Sequence, residues 1–204
     1  MNVHIVNGGS DYRKLFEQMG HTITSLGNAQ LVVFTGGADV TPSLYGDFAH
    51  PWTGNHWERD VSEGAIFKTC HDAGIPMVGI CRGAQFLNVM SGGRMYQHVE
   101  KHTRSHSLTD VVTGEVVYVS STHHQMMMPS PDALLVAAAY LHGEREWYDG
   151  EVGRKDVSKE DIEVVFYKHT KCLCFQPHPE FDSPEYVGMR QYFQSLLKRY
   201  LGIV

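Results

Sequence analysis

Two short segments carry side chains that could perform covalent catalysis. In Ile75-Pro-Met-Val-Gly-Ile-Cys81-Arg-Gly-Ala-Gln85, a cysteine lies between Gly79 and Gly83, where an apolar run gives way to a helical pattern. A strand that meets a helix with almost no loop is the sulfur version of the G-x-S-x-G nucleophile elbow. Such a turn strains the backbone at Cys81 and holds its side chain out at the carboxyl edge of a sheet. The helix N-terminus behind it favours the reactive thiolate, and the amide of Arg82 faces the place where an oxyanion would form. Far along the chain, Cys172-Leu-Cys-Phe-Gln-Pro-His178-Pro-Glu180 ends an apolar strand in His-Pro-Glu. Residues i and i+2 of an extended segment share a side, so His178 and Glu180 can enter one cleft together as base and orienter. Each segment alone has a plain alternative. Cys81 could be a small buried residue at a strand end, and the histidine could sit idle in a solvated loop.

The elements that must position these groups follow from the hydrophobic period. Asn2 to Val6 reads as a strand, and Asp11 to Met19 as a helix capped by Ser10, with Leu15, Phe16 and Met19 on one face. Leu31 to Phe34 is a second buried strand, ending at Thr35-Gly36-Gly37. A helix over 58–72 is predicted with Val61, Ala65, Ile66 and Thr69 inward and with Gly74 as its stop. Met77 to Ile80 is a third strand, followed at once by a helix from Gly83 to Met90. This alternation predicts a parallel sheet with helices on both faces. Later, Thr109–Val112 and Glu115–Val119 flank a Thr113-Gly114 hairpin signal. Leu134–Tyr140, Trp147–Glu151, Ile162–Tyr167 and Cys172–Gln176 are further strand candidates. Ser183 to Leu201 reads as a closing helix with Ser183 as cap and Pro184 at its first position. The expectation is an α/β core with an antiparallel section added late in the chain.

Composition narrows the function classes. A formal charge of -6 over 204 residues argues against nucleic acid as a partner. The apolar runs are too short to span a membrane, and Met1 leads directly into the first strand pattern, which predicts a soluble, cytoplasmic protein. The four cysteines are then expected as reduced thiols. Cys172 and Cys174 have no second Cys/His pair at zinc spacing and are expected to face opposite sides of the sheet. His98, His102, His106, His123 and His124 crowd one stretch of sequence. No carboxylate or thiol near them stands at metal spacing, so no metal is expected there. Met126-Met127-Met128 reads as core or cleft wall. Trp52, Trp57 and Trp147 read as cleft lining or packing.

With both segments in hand, the chain resembles the class I glutamine amidotransferases. It is most similar to their γ-glutamyl hydrolase (peptidase C26) branch, which includes γ-glutamyl-γ-aminobutyrate hydrolases. The resemblance covers most of the chain and rests on ordered segments. These are Thr35-Gly-Gly-Ala-Asp-Val-Thr-Pro-Ser-Leu-Tyr-Gly46, Arg59-Asp60 with Glu63, Gly79 to Gln85 running on through Asn88 to Gly92-Gly93, Ser121-Thr-His-His-Gln125, and His178-Pro-Glu180. It implies one domain over residues 1–204, with the three-layer, flavodoxin-like fold of that family and a mostly parallel central sheet. It further implies Cys81 as nucleophile, His178 as general acid/base and Glu180 as its orienter. The backbone amides of Gly37 and Arg82 would form the oxyanion hole. Gln85, Ser121, Thr122 and His123 would contact the glutamyl group, and Asp39 and Tyr45 would hold the loop beside the oxyanion hole. Ser120 and Pro177 depart from the family pattern, which has Asn and an aromatic residue there. The implied activity is hydrolysis of γ-glutamyl amides through a thioester, with a small γ-glutamyl substrate and without metal or cofactor. The alternatives are a glutaminase subunit that feeds ammonia to a separate synthetase or ligase, and a non-catalytic binding protein on the same fold.

Overall fold

Fully buried apolar runs make the centre of the molecule. In the computed structural model, which describes residues 1–203, Leu31–Phe34 and Met77–Ile80 are buried at every position. That pattern belongs to parallel strands covered on both faces. In chain order the elements are β1 (Asn2–Val6), α1 (Ser10–Gln18), β2 (Thr22–Ile23), β3 (Leu31–Phe34), α2 (Trp57–Asp72), β4 (Met77–Ile80) and α3 (Arg82–Met90). There follow β5 (Arg94–Tyr96), β6 (His98–Val99), β7 (His106–Asp110), β8 (Val116–Val119), β9 (Met126–Met128) and β10 (Leu134–Ala139). Last come β11 (Glu144–Asp149), β12 (Val152–Val157), β13 (Asp161–Tyr167), β14 (Cys172–Phe175) and α4 (Val187–Leu201).

The main sheet has the order β2-β1-β3-β4-β14-β13-β10-β7-β8. From β2 to β14 the pairings are parallel, and from β14 to β8 they are antiparallel. Strand β14 therefore belongs to both halves, lying beside β4 on one edge and β13 on the other. It carries the His178 segment to the carboxyl end of the strand that delivers Cys81. Two smaller sheets, β12-β11-β6 and β5-β9, stand apart from the main one.

Apolar layers cover both faces. One joins Leu15 and Phe16 of α1 with Phe193 and Leu197 of α4, over Val3, Val33 and Val78. The other joins Phe67 and Cys70 of α2 with Phe86 and Leu87 of α3, over Val32, Phe34 and Met77. Cys172 and Cys174 both lie in the second layer. The expectation of opposite faces is corrected by strand geometry, in which i and i+2 share a side.

Other differences have local causes. The cap of α1 is Gly9, and Ser10 is already helical, its hydroxyl turned to Asp11. The hairpin strand stops at Asp110 because its carboxylate accepts the amides of Val112 and Thr113, turning the chain before Thr113-Gly114. Behind Ser183 comes one tight turn, Pro184–Tyr186, before α4 begins. The segment predicted as a single strand at Trp147–Glu151 lies in a hairpin, β11 with β12, turned at Gly150. The largest correction concerns α2. Val61 is 53% exposed and Ala65 and Thr69 also face solvent, whereas Asp60, Glu63, Phe67 and Cys70 point inward. Carboxylates occupy half of the buried face because a buried guanidinium, that of Arg82, lies opposite them.

Candidate active site

Cys81 is the hinge between β4 and α3, with φ +53° and ψ −114°. A non-glycine residue at positive φ is costly and persists only where its surroundings over-determine it. The flanking glycines show how close those surroundings are. A Cβ on Gly79 would lie 2.3 Å from the carbonyl oxygen of Gly83, and one on Gly83 would lie 2.1 Å from that of Phe34. Only bare backbone lets strand and helix approach this closely, and the approach pushes the Cys81 side chain out at the sheet edge.

His178 faces the same spot. A methyl placed on Gly36 would meet His178 Cε1 at 3.4 Å and the Cys81 Cβ at 3.8 Å. The Nδ1 of His178 lies 2.7 Å from Glu180 Oε1, which leaves Nε2 free to face Thr122 Oγ1 at 2.9 Å. Burial alone would lower the pKa of His178. The nearness of Cys81 and the pairing with Glu180 outweigh it and raise the imidazole to about 10. Ser120, one of the departures from the family pattern, clamps the backbone of His178 by accepting its amide at 2.9 Å and donating to its carbonyl at 3.3 Å. Phe181 stacks on the imidazole, with ring centroids 4.7 Å apart.

The loop after β3 closes the other side. Gly37 has φ +146°, a conformation reserved for glycine, and a Cβ there would collide with Arg59 Nη1. Arg59 fixes this loop by donating to the carbonyls of Gly36 and Thr35 at 3.0 and 2.9 Å while pairing with Glu63 at 2.7 Å. The amide of Gly36 donates to the hydroxyl of Tyr12 at 3.0 Å. Burial and the nearby Glu180 carboxylate keep that phenol protonated. Below the loop, the buried guanidinium of Arg82 pairs with both Asp60 and Glu63, and Asp60 also accepts the amide of Thr41. The side chain of Arg82 is thus turned away from the sulfur. Its amide, the first of α3, belongs to the set that a helix leaves without intrahelical partners. Arg59, Asp60 and Glu63 stood in the sequence without a role. The signal was their spacing, with acids at i and i+3 on one helix face and Arg59 at i−4 from Glu63.

A pocket of about 250 Å³ opens at Cys81, lined by Gly37, Asp39, Arg82, Gln85, Thr122 and His123 among others. This is below the roughly 300–1,000 Å³ of drug-sized ligand sites, a scale suited to an amino-acid-like molecule. Gln85 is held by the carbonyl of Gln125 at 3.2 Å and the side chain of Gln176 at 3.3 Å. Trp52, 65% exposed, stands at the rim with His124. The carboxylate of Asp39 joins two loops, pairing with His124 at 3.2 Å and accepting the Gly54 amide at 2.8 Å. Ser121 is not among the lining residues, because its hydroxyl is turned to the carbonyl of His102. Among the sequence candidates, then, Cys81, His178, Glu180, Gly37, Arg82, Gln85, Thr122 and His123 gather at one sheet edge, and Ser121 supports them from behind.

Known proteins agree with this architecture. A family model described as Peptidase C26 matches residues 16–142. A glutamine amidotransferase-like protein of Lactococcus lactis is 30% identical over 199 residues, covering 81% of this chain and 77% of the relative. A candidate glutamine amidotransferase of Mycobacterium tuberculosis is 32% identical over 147 residues, 62% of this chain but only 47% of that longer protein. More distantly, the carbamoyl phosphate synthase small chain of Polynucleobacter asymbioticus is 26% identical over 117 residues, covering 57% of this chain and 26% of that one. Among solved structures, a glutamine amidotransferase of Thermotoga maritima superposes with a TM-score of 0.61 at 14% identity, over 98% of this chain and 84% of that one. No helix among the described residues is long and apolar enough to cross a membrane. The chain belongs to the peptidase C26 family and has the class I glutamine amidotransferase fold.

Proposed function

We propose that the protein hydrolyses γ-glutamyl amide bonds through a thioester on Cys81. The observation that carries this reading is the placement of His178, which contacts Glu180 through Nδ1 and stands beside Cys81 at the Gly36 turn, across the β4/β14 edge. With its pKa raised to about 10, the imidazole is protonated at neutral pH and ready to act first as an acid. The Cys81 thiolate attacks the γ-carbonyl carbon, and the negative oxygen is received by the amides of Gly37 and Arg82. Each such donor contributes about 2.7–4 kcal/mol in measured cases. Collapse of the tetrahedral species breaks the C–N bond, and the proton on His178 leaves with the amine. Sulfur is now part of a neutral thioester, so the charge that held the imidazole protonated is gone and His178 becomes a base. It takes a proton from water, the hydroxide attacks the thioester, and glutamate departs with regeneration of the thiolate and the imidazolium.

The direct test presents the purified protein with glutamine and a panel of γ-glutamyl amines. Turnover of at least one is expected, abolished in Cys81→Ala. No turnover of any compound, or equal turnover in both proteins, would sink the reading. Kinship with the small chain of carbamoyl phosphate synthase supports a second use of the same chemistry, in which glutamine is the substrate and the released ammonia goes to a separate synthetase. Slow hydrolysis of glutamine alone, accelerated by a synthetase partner, would select that use over free-standing hydrolysis.

A further inference from the structure

Beside the pocket, and outside the chemistry just described, three histidines surround one carboxylate in the interior. Glu163 on β13 is fully buried, and His102, His106 and His123 are 1%, 8% and 4% exposed. Glu163 Oε1 lies 3.2 Å from His102 Nδ1, 3.2 Å from His106 Nε2 and 3.7 Å from His123 Nε2. The donor atoms of His102, His106 and Glu163 all fall within 4.8 Å of one another.

The tautomers follow from the surroundings. Nδ1 of His106 lies 3.2 Å from the carbonyl of Arg104, and Nδ1 of His123 lies 2.8 Å from that of Gln125. A carbonyl only accepts, so both Nδ1 atoms carry the hydrogen, and in the neutral rings both Nε2 lone pairs point at the carboxylate. Lone pairs then face an acceptor across a buried space. A ring N–H given to a backbone carbonyl is also the outer-shell arrangement that orients metal-binding histidines. Nε2 of His123 and Oε2 of Glu163 make no hydrogen bond, and the ring nitrogens of His102 face two carboxylates, Nδ1 at 3.2 Å from Glu163 and Nε2 at 3.6 Å from Asp161, without a well-aligned bond to either. Such orphaned buried atoms cost about 1–3 kcal/mol each unless something completes them. A proton on His102 would serve its contacts with Glu163 and Asp161 but would leave the Nε2 atoms of His106 and His123 facing the carboxylate, whereas one cation would satisfy these rings together.

We propose that His102, His106, His123 and Glu163 bind a divalent transition ion of the zinc class as a closed, tetrahedral, structural site. Three imidazole nitrogens and one carboxylate oxygen suit zinc or cobalt and do not suit magnesium or calcium, which take oxygen ligands. The ligands come from the stretch entering β7, the β8–β9 connection and β13, so the ion would tie together three segments far apart in sequence. Two of its neighbours link it to the wall of the Cys81 pocket, Ser121 from behind and Thr122 at the lining. Ser121 is anchored on the carbonyl of His102, and Thr122, adjacent to His123, contacts Nε2 of His178. The ion would thus position the 121–123 segment without touching the reacting atoms. The sequence had set a metal aside for want of a nearby carboxylate. Glu163 supplies it from a strand forty residues beyond His123.

The test strips the full-length protein with a chelator, then measures uptake of Zn²⁺ by equilibrium dialysis and of Co²⁺ by visible absorption. One equivalent per chain is expected, with a tetrahedral cobalt spectrum lacking a thiolate charge-transfer band and with a raised denaturation midpoint on zinc addition. Glu163→Gln and His106→Gln should weaken binding by more than the roughly 10–100-fold that loss of an outer-shell partner costs. Cys81→Ala and the rim variant His124→Ala should leave it unchanged. Less than one equivalent at micromolar zinc in the wild type would overturn the proposal, and so would a thiolate signature, loss of binding in Cys81→Ala, or full binding in Glu163→Gln. If a ligand variant fails to fold, the wild-type stoichiometry and cobalt spectrum still decide. None of these readouts requires turnover, so the site and the hydrolase reading stand or fall separately.

Discussion

Two buried polar clusters flank the Cys81 pocket, and they are built on opposite principles. Beneath the Gly36-Gly37 loop, Arg59 and Arg82 are matched by Asp60 and Glu63, and Asn7 donates to Glu63 at 3.0 Å. That cluster is closed in charge, since two cations meet two carboxylates within the chain, although Nε of Arg82 has no partner. Beside the pocket, His102, His106 and His123 converge on Glu163 with several polar atoms unpartnered. That cluster is open. The first needs nothing from outside to hold its loop, whereas the second has the form of a receptacle. Removing a member should therefore be ruinous in the first and mild in the second when no ion is present.

The largest effect is expected from Arg82→Met. It leaves Asp60 and Glu63 buried without their guanidinium, and breaking a buried pair by removing one partner costs about 3–5 kcal/mol. Urea denaturation at neutral pH measures it; a loss below about 1 kcal/mol would show that the two carboxylates do not depend on the guanidinium. Next comes Gly37→Ala, which tests what the closed cluster is for. Its methyl would collide with Arg59 and has no comfortable φ. The oxyanion amide should shift, lowering kcat by about 10²–10³-fold. Near-normal kcat would remove Gly37 from the oxyanion hole.

Between the clusters sits His178, a buried group tied to Glu180. Its pKa is raised from 6.5 to about 10, so the folded state holds a proton more tightly than the unfolded chain. The stability this contributes is fully present below pH 6.5 and disappears as pH rises towards 10. Wild type should therefore exceed His178→Gln by about 1.5–3 kcal/mol at pH 6, the range for hydrogen bonds to charged groups, and the gap should narrow steadily to pH 10. A gap that widens with pH would reverse the sign of the interaction. For the open cluster, His106→Gln in chelator-stripped protein removes one contact of 3.2 Å. A loss of only about 1 kcal/mol is expected in denaturant midpoints. A loss as large as that of Arg82→Met would make the two clusters alike.

The contrast also explains what could be read from the chain. The parallel half was legible because β3 and β4 are unbroken apolar runs and because the glycines around Cys81 announce a turn too tight for side chains. The fold and the meeting of Cys81 with His178 followed from those features and from the family resemblance. The antiparallel half was blurred. Strand β12, Val152–Val157, is exposed at every position and has no hydrophobic period, and β5, β6 and β9 are only two or three residues long. The open cluster was invisible for a different reason. Its carboxylate arrives through the β10–β13 pairing, a long-range contact that spacing along the chain does not encode.

The smallest expected effect tests the correction that separates the clusters most sharply. Read for apolar period alone, α2 should bury Val61. In the fold it buries Asp60 and Glu63 and leaves Val61 more than half exposed. The helix inverts the usual pattern because its inner face serves Arg82 before it serves the core, and Phe67 and Cys70 further along, with the half-buried Ile66, meet apolar partners. Val61→Lys should then change stability by less than about 0.5 kcal/mol, the ordinary range for surface substitutions. Phe67→Ala, six positions on and on the inner face, should cost about 3–5 kcal/mol. If lysine at position 61 were as damaging as alanine at 67, the helix would be rotated, its carboxylates would face water, and Arg82 would have lost the partners that close its cluster.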